Sequence, residues 1–406
     1  MYSIQIHPGR VVLQHPQHYA EIYPHGALLN AYAIRLADGS WFNTICGHAT
    51  PAAAVHNLTT GFHSAKLSPF ACRIRHSEYT FNGQTYRTGK FYAAGHAAHG
   101  LLYDAPFQIT AGGSDAEQAW LELSHDYPGN QPGYPFPYRL SIRYTLSADG
   151  ISLTTTARNT GTSALPLADG WHPYFTLGGC ADDWQLTVNS TTRLAVDQDL
   201  VPNGRHLEDT RFIRPCSLAG IELDNSFLLN PQPAPACRLE NQRLQLDILP
   251  DSSYPVLQIY LPPERQSLAI ENLSGAPDCF NNHIGLLRLA AGESREFYTR
   301  YCLSEKSFRL INGGNKYENA CLKTSLRVST KLKVFQPGIE INQYLAKPHY
   351  PSSSKLVFVH SKLLPNLDLT PEIILIFPQR PKSYNLLDHQ LCLTTQTDRI
   401  SLTIYH

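Results

Sequence analysis

Leu140-Ser141-Ile142-Arg143-Tyr144-Thr145-Leu146-Ser147-Ala148-Asp149-Gly150-Ile151-Ser152-Leu153-Thr154-Thr155 alternates apolar and polar side chains on either side of an Asp-Gly turn signal. Successive side chains of an extended chain point to opposite sides, so Leu140, Ile142, Tyr144 and Leu146 share one face and Ser141, Arg143 and Thr145 the other. Ile151, Leu153 and Thr155 resume the pattern beyond the turn. The stretch predicts a β-hairpin with one buried face.

The same pattern recurs along the chain. Tyr32, Ile34 and Leu36 alternate before Asp38-Gly39-Ser40, after which Trp41 opens a second strand. Tyr79 and Phe81 lead into Asn82-Gly83, the strongest short hairpin signal, because a type I′ turn needs positive φ at both central residues. Further strands are expected over 184–188, 244–248, 256–260, 268–270 and 297–301, and long stretches of 3.6-residue period are missing. Many strands of this length joined by Gly, Asp and Pro turns predict an all-β fold, a large antiparallel β-sandwich.

The totals agree with a globular protein of some size. The 406 residues are 42% hydrophobic and 16% charged, with a formal net charge of zero, so nothing in the total points to nucleic acid or an anionic membrane. No basic region followed by an apolar core stands at the amino terminus, and no stretch approaches a membrane span, which leads us to expect a soluble, cytoplasmic protein. The nine cysteines are widely spaced without a Cys-x-x-Cys pair and read as reduced, mostly buried thiols. Composition shifts near Ser304: only Lys66 and Lys90 precede Lys306, whereas lysines are frequent afterwards. Residues 304–406 hold 13 basic against 7 acidic side chains, a net +6, and leave 20 against 26, a net −6, for residues 1–303. We therefore expect a sandwich domain over 1–303 and a basic C-terminal extension over 304–406, whether a small β-rich appendage, an interaction segment or a weakly folded tail.

Five stretches could carry chemistry. In Asp169-Gly170-Trp171-His172-Pro173-Tyr174-Phe175, Pro173 pushes His172 toward an extended backbone, Asp169-Gly170 reads as a turn, and the aromatics suit either core packing or stacking beneath a sugar. Arg73 and Arg75 alternate with apolar residues and share a strand face, where a guanidinium can meet hydroxyl or carboxylate oxygens. His96 and His99 stand among small residues that leave both imidazoles accessible, but no neighbouring carboxylate or thiol completes a metal site, so hydrogen bonding to a hydroxyl is the functional reading. Glu271 shares a face with Ser267 and Ala269, opposite Leu268 and Ile270, and Asp224 stands beside apolar residues as a turn former or a hydroxyl acceptor. Each alone also fits a packed histidine, a surface arginine or a solvated carboxylate.

In this order and wording the stretches resemble the aldose 1-epimerase (galactose mutarotase) family, large β-sandwich enzymes that interconvert the anomers of free sugars. The resemblance runs from Gly26 to Tyr301 and is carried by 66–75, His96-Ala97-Ala98-His99-Gly100-Leu101, Trp171-His172-Pro173-Tyr174-Phe175, Leu223-Asp224-Asn225-Ser226-Phe227, and Ala269-Ile270-Glu271 running on to Phe280-Asn281; Leu289-Ala290-Ala291-Gly292-Glu293-Ser294 looks like the family's closing turn. It implies that His172 is the general acid and Glu271 the general base, and that Arg73, His99 and Asp224 hold the sugar hydroxyls. Cys72 stands where the family often has Asn, and Tyr103-Asp104 where a basic or amide residue is common, departures that bear on which sugar is bound. Anomerisation needs a proton delivered to the ring oxygen and another taken from the C1 hydroxyl, so the implied enzyme needs no cofactor or metal. We expect the two groups to face each other across the sugar ring. A hexose-6-phosphate mutarotase, with Arg75 or Arg87 at the phosphate, and a catalytically silent sugar-binding protein are the competing readings.

Overall fold

The computed structural model describes residues 1–231 and 235–306, together with six strands between Ser329 and Ile404. Five strands matter most for function: β1 (Ala65–Leu67), β2 (Gly170–His172), β3 (Asp224–Leu228), β4 (Val256–Tyr260) and β5 (Leu268–Leu273). They belong to an eight-stranded antiparallel sheet ordered Pro202–Glu208, Thr192–Val196, β3, β4, β5, β2, β1, with Tyr174–Phe175 also paired to β5. A nine-stranded sheet runs Gln108–Ser114, Gln118–Tyr127, Tyr138–Ser147, Gly150–Asn159, Ser294–Glu305, Leu244–Pro250, Cys237–Glu240, Gln185–Val188, Cys216–Ser217.

Alternation makes these sheets two layers of one core. Leu140, Ile142, Tyr144 and Leu146 of the opening stretch are all fully buried, and they share one apolar cluster with Trp171, Leu257, Ile259, Leu268 and Ile270 of the facing sheet. Ring contacts cross the interface between Tyr144 and Trp171 (6.1 Å) and between Phe175 and Tyr301 (5.1 Å). The chain is thus an all-β sandwich, as its alternation predicts. The Asn82-Gly83 hairpin forms as expected, with φ of 52° and 78° joining Glu78–Phe81 to Gln84–Arg87.

A short helix joins the strands, and two local expectations differ from the structure. Pro51–Asn57 forms α1, a helix started by Thr50, whose hydroxyl accepts the Ala53 N–H (3.1 Å), with Pro51 in the first turn. Asp169-Gly170 is no turn: Gly170 pairs with Leu67 on one side and Leu273 on the other. A Cβ on Gly170 would come within 2.6 Å of the Leu273 Cδ2 and 3.1 Å of the Asn272 carbonyl oxygen, so a larger residue would make the leucine shift. Of the seven described cysteines, all free, only Cys72, Cys237 and Cys279 are buried.

Among the described residues no helix is long and apolar enough to cross a membrane. The chain divides into two compact units, Met1–Ser307 and Phe308–His406. In the second, Ser329–Lys333 pairs with Glu340–Tyr344, Lys355–Phe358 with Ile374–Phe377, and His389–Thr394 with Arg399–Ile404. The expectations for the remainder of the 304–406 extension lie outside the described residues.

Candidate active site

One face of the eight-stranded sheet packs on the core, and the other carries the candidate residues. In β5, Leu268 and Ile270 enter the core while Asn272 accepts a hydrogen bond from Thr299 of the facing sheet (3.0 Å). Ala269, Glu271 and Leu273 therefore share the opposite face, where Leu273 joins a second apolar cluster with Phe62, Ala65, Leu67, Ala71 and Cys72. By the same alternation Trp171 points into the core and His172 away from it. Register then aligns Glu271 with Gln258 of β4 and Gln258 with Ser226 of β3, while Ala269, Tyr260 and Asp224 form the next row.

The five residues singled out from the sequence come together here. Glu271 Oε1 lies 3.4 Å from His172 Nε2, and both side chains are almost fully buried. His99 stands edge-on to His172 with ring centroids 5.0 Å apart, its other flank against Phe62 at 4.4 Å. Asp224 accepts a hydrogen bond from Gln258 Nε2 (2.6 Å). The guanidinium of Arg73 is close enough to bear electrostatically on Glu271, Asp224 and His99 alike.

Burial dominates the electrostatics and favours neutral forms. It pushes the Glu271 carboxyl well above the usual carboxylate range, the charge of Asp224 adding to the effect and Cys72 and Arg73 opposing it. Burial likewise lowers His172 to about 4, and together with His172 and Arg73 it drives His99 well below the ordinary imidazole value. Asp224 is raised by burial against the pull of Arg73 and Gln258. A carboxyl and an imidazole displaced in opposite directions at contact distance form the kind of pair that moves protons.

Two further features mark this face. Arg73 Nε, His99 Nδ1 and His172 Nδ1 are buried without a partner among the described residues, although buried polar groups are paired as a rule. Cys72 and His99 adopt left-handed φ of 49° and 63°, and the N–H of His99 donates to the carbonyl of Cys72 (2.9 Å). Each such residue costs about 1–3 kcal/mol and persists only where its surroundings fix it.

Other expectations are corrected. His172 and Glu271 touch at 3.4 Å rather than facing each other across the width of a ring. His96 is not accessible: it is 2% exposed, and its Nδ1 accepts the His76 N–H (2.9 Å). Arg75 is held by Asp197 and by Asp199 (3.4 Å) rather than free for a phosphate. Gln258 escaped the sequence reading, though a glutamine amid Val256, Leu257 and Ile259 was a visible irregularity in an apolar strand.

The profile of the family described as Aldose 1-epimerase matches residues 9–302. The chain belongs to the aldose 1-epimerase family. It is therefore an isomerase by family. Uncharacterized protein YihR of Escherichia coli K12 is 27% identical over 248 residues, which make up 57% of this chain and 76% of that protein. Human galactose mutarotase is 33% identical over 88 residues, 21% of this chain and 25% of that one. Among solved structures, a galactose mutarotase-like protein from Clostridium acetobutylicum superposes with a TM-score of 0.67 at 15% identity, covering 75% of this chain and 99% of that one. Galactose 1-epimerase from Lactobacillus acidophilus gives 0.63 at 18% identity, covering 76% and 99%. These likenesses support the aldose-epimerase sandwich.

Proposed function

We propose that the chain interconverts the α and β anomers of a free hexose, with Glu271 as general base, His172 as general acid, and Arg73, His99 and Asp224 holding the hydroxyls. The contact between Glu271 Oε1 and His172 Nε2 (3.4 Å) in a site rimmed by hydrogen-bonding groups carries this reading. With the pair's one proton passed from the carboxyl to His172 Nε2, 3.4 Å away, Glu271 takes the proton from the C1 hydroxyl while His172 delivers its own to the ring oxygen; the C1–O5 bond breaks and a C1 aldehyde forms. Rotation about C1–C2 presents the other carbonyl face. Closure runs the transfers backwards: O5 returns its proton to His172 as it attacks C1, and Glu271 protonates O1. Both groups end as they began, and each positioned acid or base supplies about 10² to 10⁴ in rate. Arg75 is already engaged by two carboxylates, which supports a neutral hexose, while the exposed Arg87 is the basic group that a 6-phosphate would still need.

Polarimetry on freshly dissolved α-glucose and α-galactose tests this. The wild type should speed equilibration, Glu271→Gln should abolish the effect, and His172→Asn should cut it by about 10² or more. Sugar binding with equilibration no faster than buffer would instead identify a silent binding protein, and faster turnover of hexose 6-phosphates the phosphate-specific enzyme.

A further inference from the structure

A cleft of about 310 Å³, lined by Gly47, His48, Asn57, Thr60 and His63, opens beside the candidate site. The link is direct. The Ser64 N–H donates to the His172 carbonyl (2.9 Å), so His63 adjoins the backbone that pairs with the catalytic strand. The His63 ring stacks on Tyr174 at 4.3 Å, and Tyr174 lies 5.2 Å from His172. An aromatic wall thus runs from His172 through Tyr174 to the cleft. Its volume is at the lower end of small-molecule pockets, which start at about 300 Å³.

The cleft wall is held in place from below. Asn30, 6% exposed, uses its side-chain amide to accept the His48 N–H (2.7 Å) and to donate to the His48 carbonyl (3.0 Å). The same amide nitrogen is fixed by Tyr23 and Glu21 (2.8 and 2.9 Å). Gly47 is the only residue type that fits, since a Cβ there would stand 2.1 Å from the Asn30 carbonyl oxygen. A buried amide clamping a surface loop at both N–H and C=O is preorganisation, which binding loops on a rigid scaffold require.

The chemistry of the wall selects what it holds. His63 Nδ1 lies 2.8 Å from the Cys46 carbonyl, which can only accept, so Nδ1 carries a proton and Nε2 is left for a ligand. His48 Nε2 is buried without a partner among the described residues, and Asn57 and Thr60 add an amide and a hydroxyl. None of the five lining residues is Lys or Arg, and burial, with the nearby His63, lowers the His48 pKa. Uncharged donors and acceptors beside an aromatic face suit sugar hydroxyls and a pyranose carbon-hydrogen face, not phosphate.

We propose that this cleft is a second sugar subsite, which takes the non-reducing ring of an uncharged disaccharide while the reducing hexose sits at Glu271 and His172. The proposal rests on the anomerase reading, because C1 must stay free at the site, so the second ring is attached through another hydroxyl. Kinetics on the full chain test it, with maltose and lactose against glucose, galactose and glucose 6-phosphate. The wild type should show a higher kcat/KM for at least one disaccharide than for its component hexoses. Thr60→Trp, filling the cleft from an exposed position, should lower disaccharide kcat/KM about tenfold and leave the hexoses within about twofold, as expected for loss of pocket contacts alone. Active turnover of hexoses with disaccharides slower and indifferent to Thr60→Trp overturns the subsite and leaves the anomerase standing, whereas a preference for glucose 6-phosphate overturns both the subsite and the free-hexose reading. Absence of turnover on every sugar overturns the anomerase; calorimetry with maltose then decides the subsite, which stands if the wild type binds and Thr60→Trp does not, and falls if neither binds.

Discussion

Glu271 and His172 must hold one proton between them to catalyse anomerisation, because the reaction moves one proton out through the carboxyl and one in through the imidazole. Both groups are pushed toward neutrality, Glu271 well up and His172 down to about 4, chiefly by burial. With the carboxyl already protonated, a second proton joins the imidazole only near pH 4, and the single proton leaves the pair only above the ordinary carboxylate range. The sign follows: kcat/KM falls as pH drops toward about 4, holds through a plateau, and falls again at high pH once the pair is empty. A pH series of kcat/KM checks this, and a steady rise from acid to alkaline pH would contradict it. Cys72 offers a finer test, since its thiol lies 3.8 Å from Glu271 Oε2 and burial with the Glu271 charge keeps it protonated. A donor to the carboxylate lowers the Glu271 pKa, so Cys72→Ala should move the alkaline limb upward by up to about one unit, the worth of one such hydrogen bond. Cys72→Asn, which tolerates the left-handed backbone, restores donors and should move it back; a limb fixed in both variants would show that the thiol contributes nothing.

At the scale of the element, β2 owes its position to a buried ion pair. Lys66 on β1 and Asp169 just before β2 are wholly buried and in contact, with Tyr254 donating to Asp169 (2.7 Å), Lys66 donating to the Gly170 carbonyl (3.0 Å), and the ammonium 4.2 Å from the Trp171 ring. Burial lowers Lys66 to about 8 and raises Asp169, so desolvation outweighs attraction for both partners. Breaking such a pair strands a charge, and Lys66→Met should destabilise by about 3–5 kcal/mol, whereas Lys66→Met combined with Asp169→Leu should recover most of it. Urea unfolding midpoints of the two variants settle the matter. This pair also shows where sequence reading reaches and where it stops. Alternation along Leu140 to Leu146, or Asn82-Gly83 between two strands, is local, and local pattern translates directly into strands and hairpins. Glu271 was placed on its face by its neighbours alone. Lys66 and Asp169 are 103 residues apart, so their pairing and the strand conformation of Gly170 follow from sheet register, which no local pattern carries. His96 failed for the same reason: its small neighbours suggested access, but a backbone N–H twenty residues upstream claims its Nδ1.

For the molecule as a whole, the first unit contains all of the matched family region. The matched family region ends at residue 302, and about three quarters of this chain covers 99% of two solved sandwiches. The place at which the chain can be shortened is set by its last strand. Ser294–Glu305 lies between two neighbours in the nine-stranded sheet, and Leu303 is 5% exposed within the core. Glu305 accepts the Ala37 N–H (2.6 Å) and pairs with Arg243 (2.8 Å), while Lys306 donates its N–H to the Arg243 carbonyl (2.7 Å) and its ammonium meets Glu240 (2.6 Å). A chain ending at Ser304 loses all four contacts and leaves the strand end to fray. Exposed ion pairs and single hydrogen bonds contribute little one by one, and the loss of all four should lower Tm by a few degrees in a domain of this size. A chain ending at Ser307 keeps them. We expect residues 1–307 to fold, to match the full chain in hexose kcat/KM within about twofold, and to melt within a few degrees of it, whereas residues 1–304 should be active but melt earlier, since every group in the proposed mechanism lies before residue 272. Calorimetry and polarimetry on the two truncations provide the check, and an insoluble or inactive 1–307 would make the extension part of the catalytic unit.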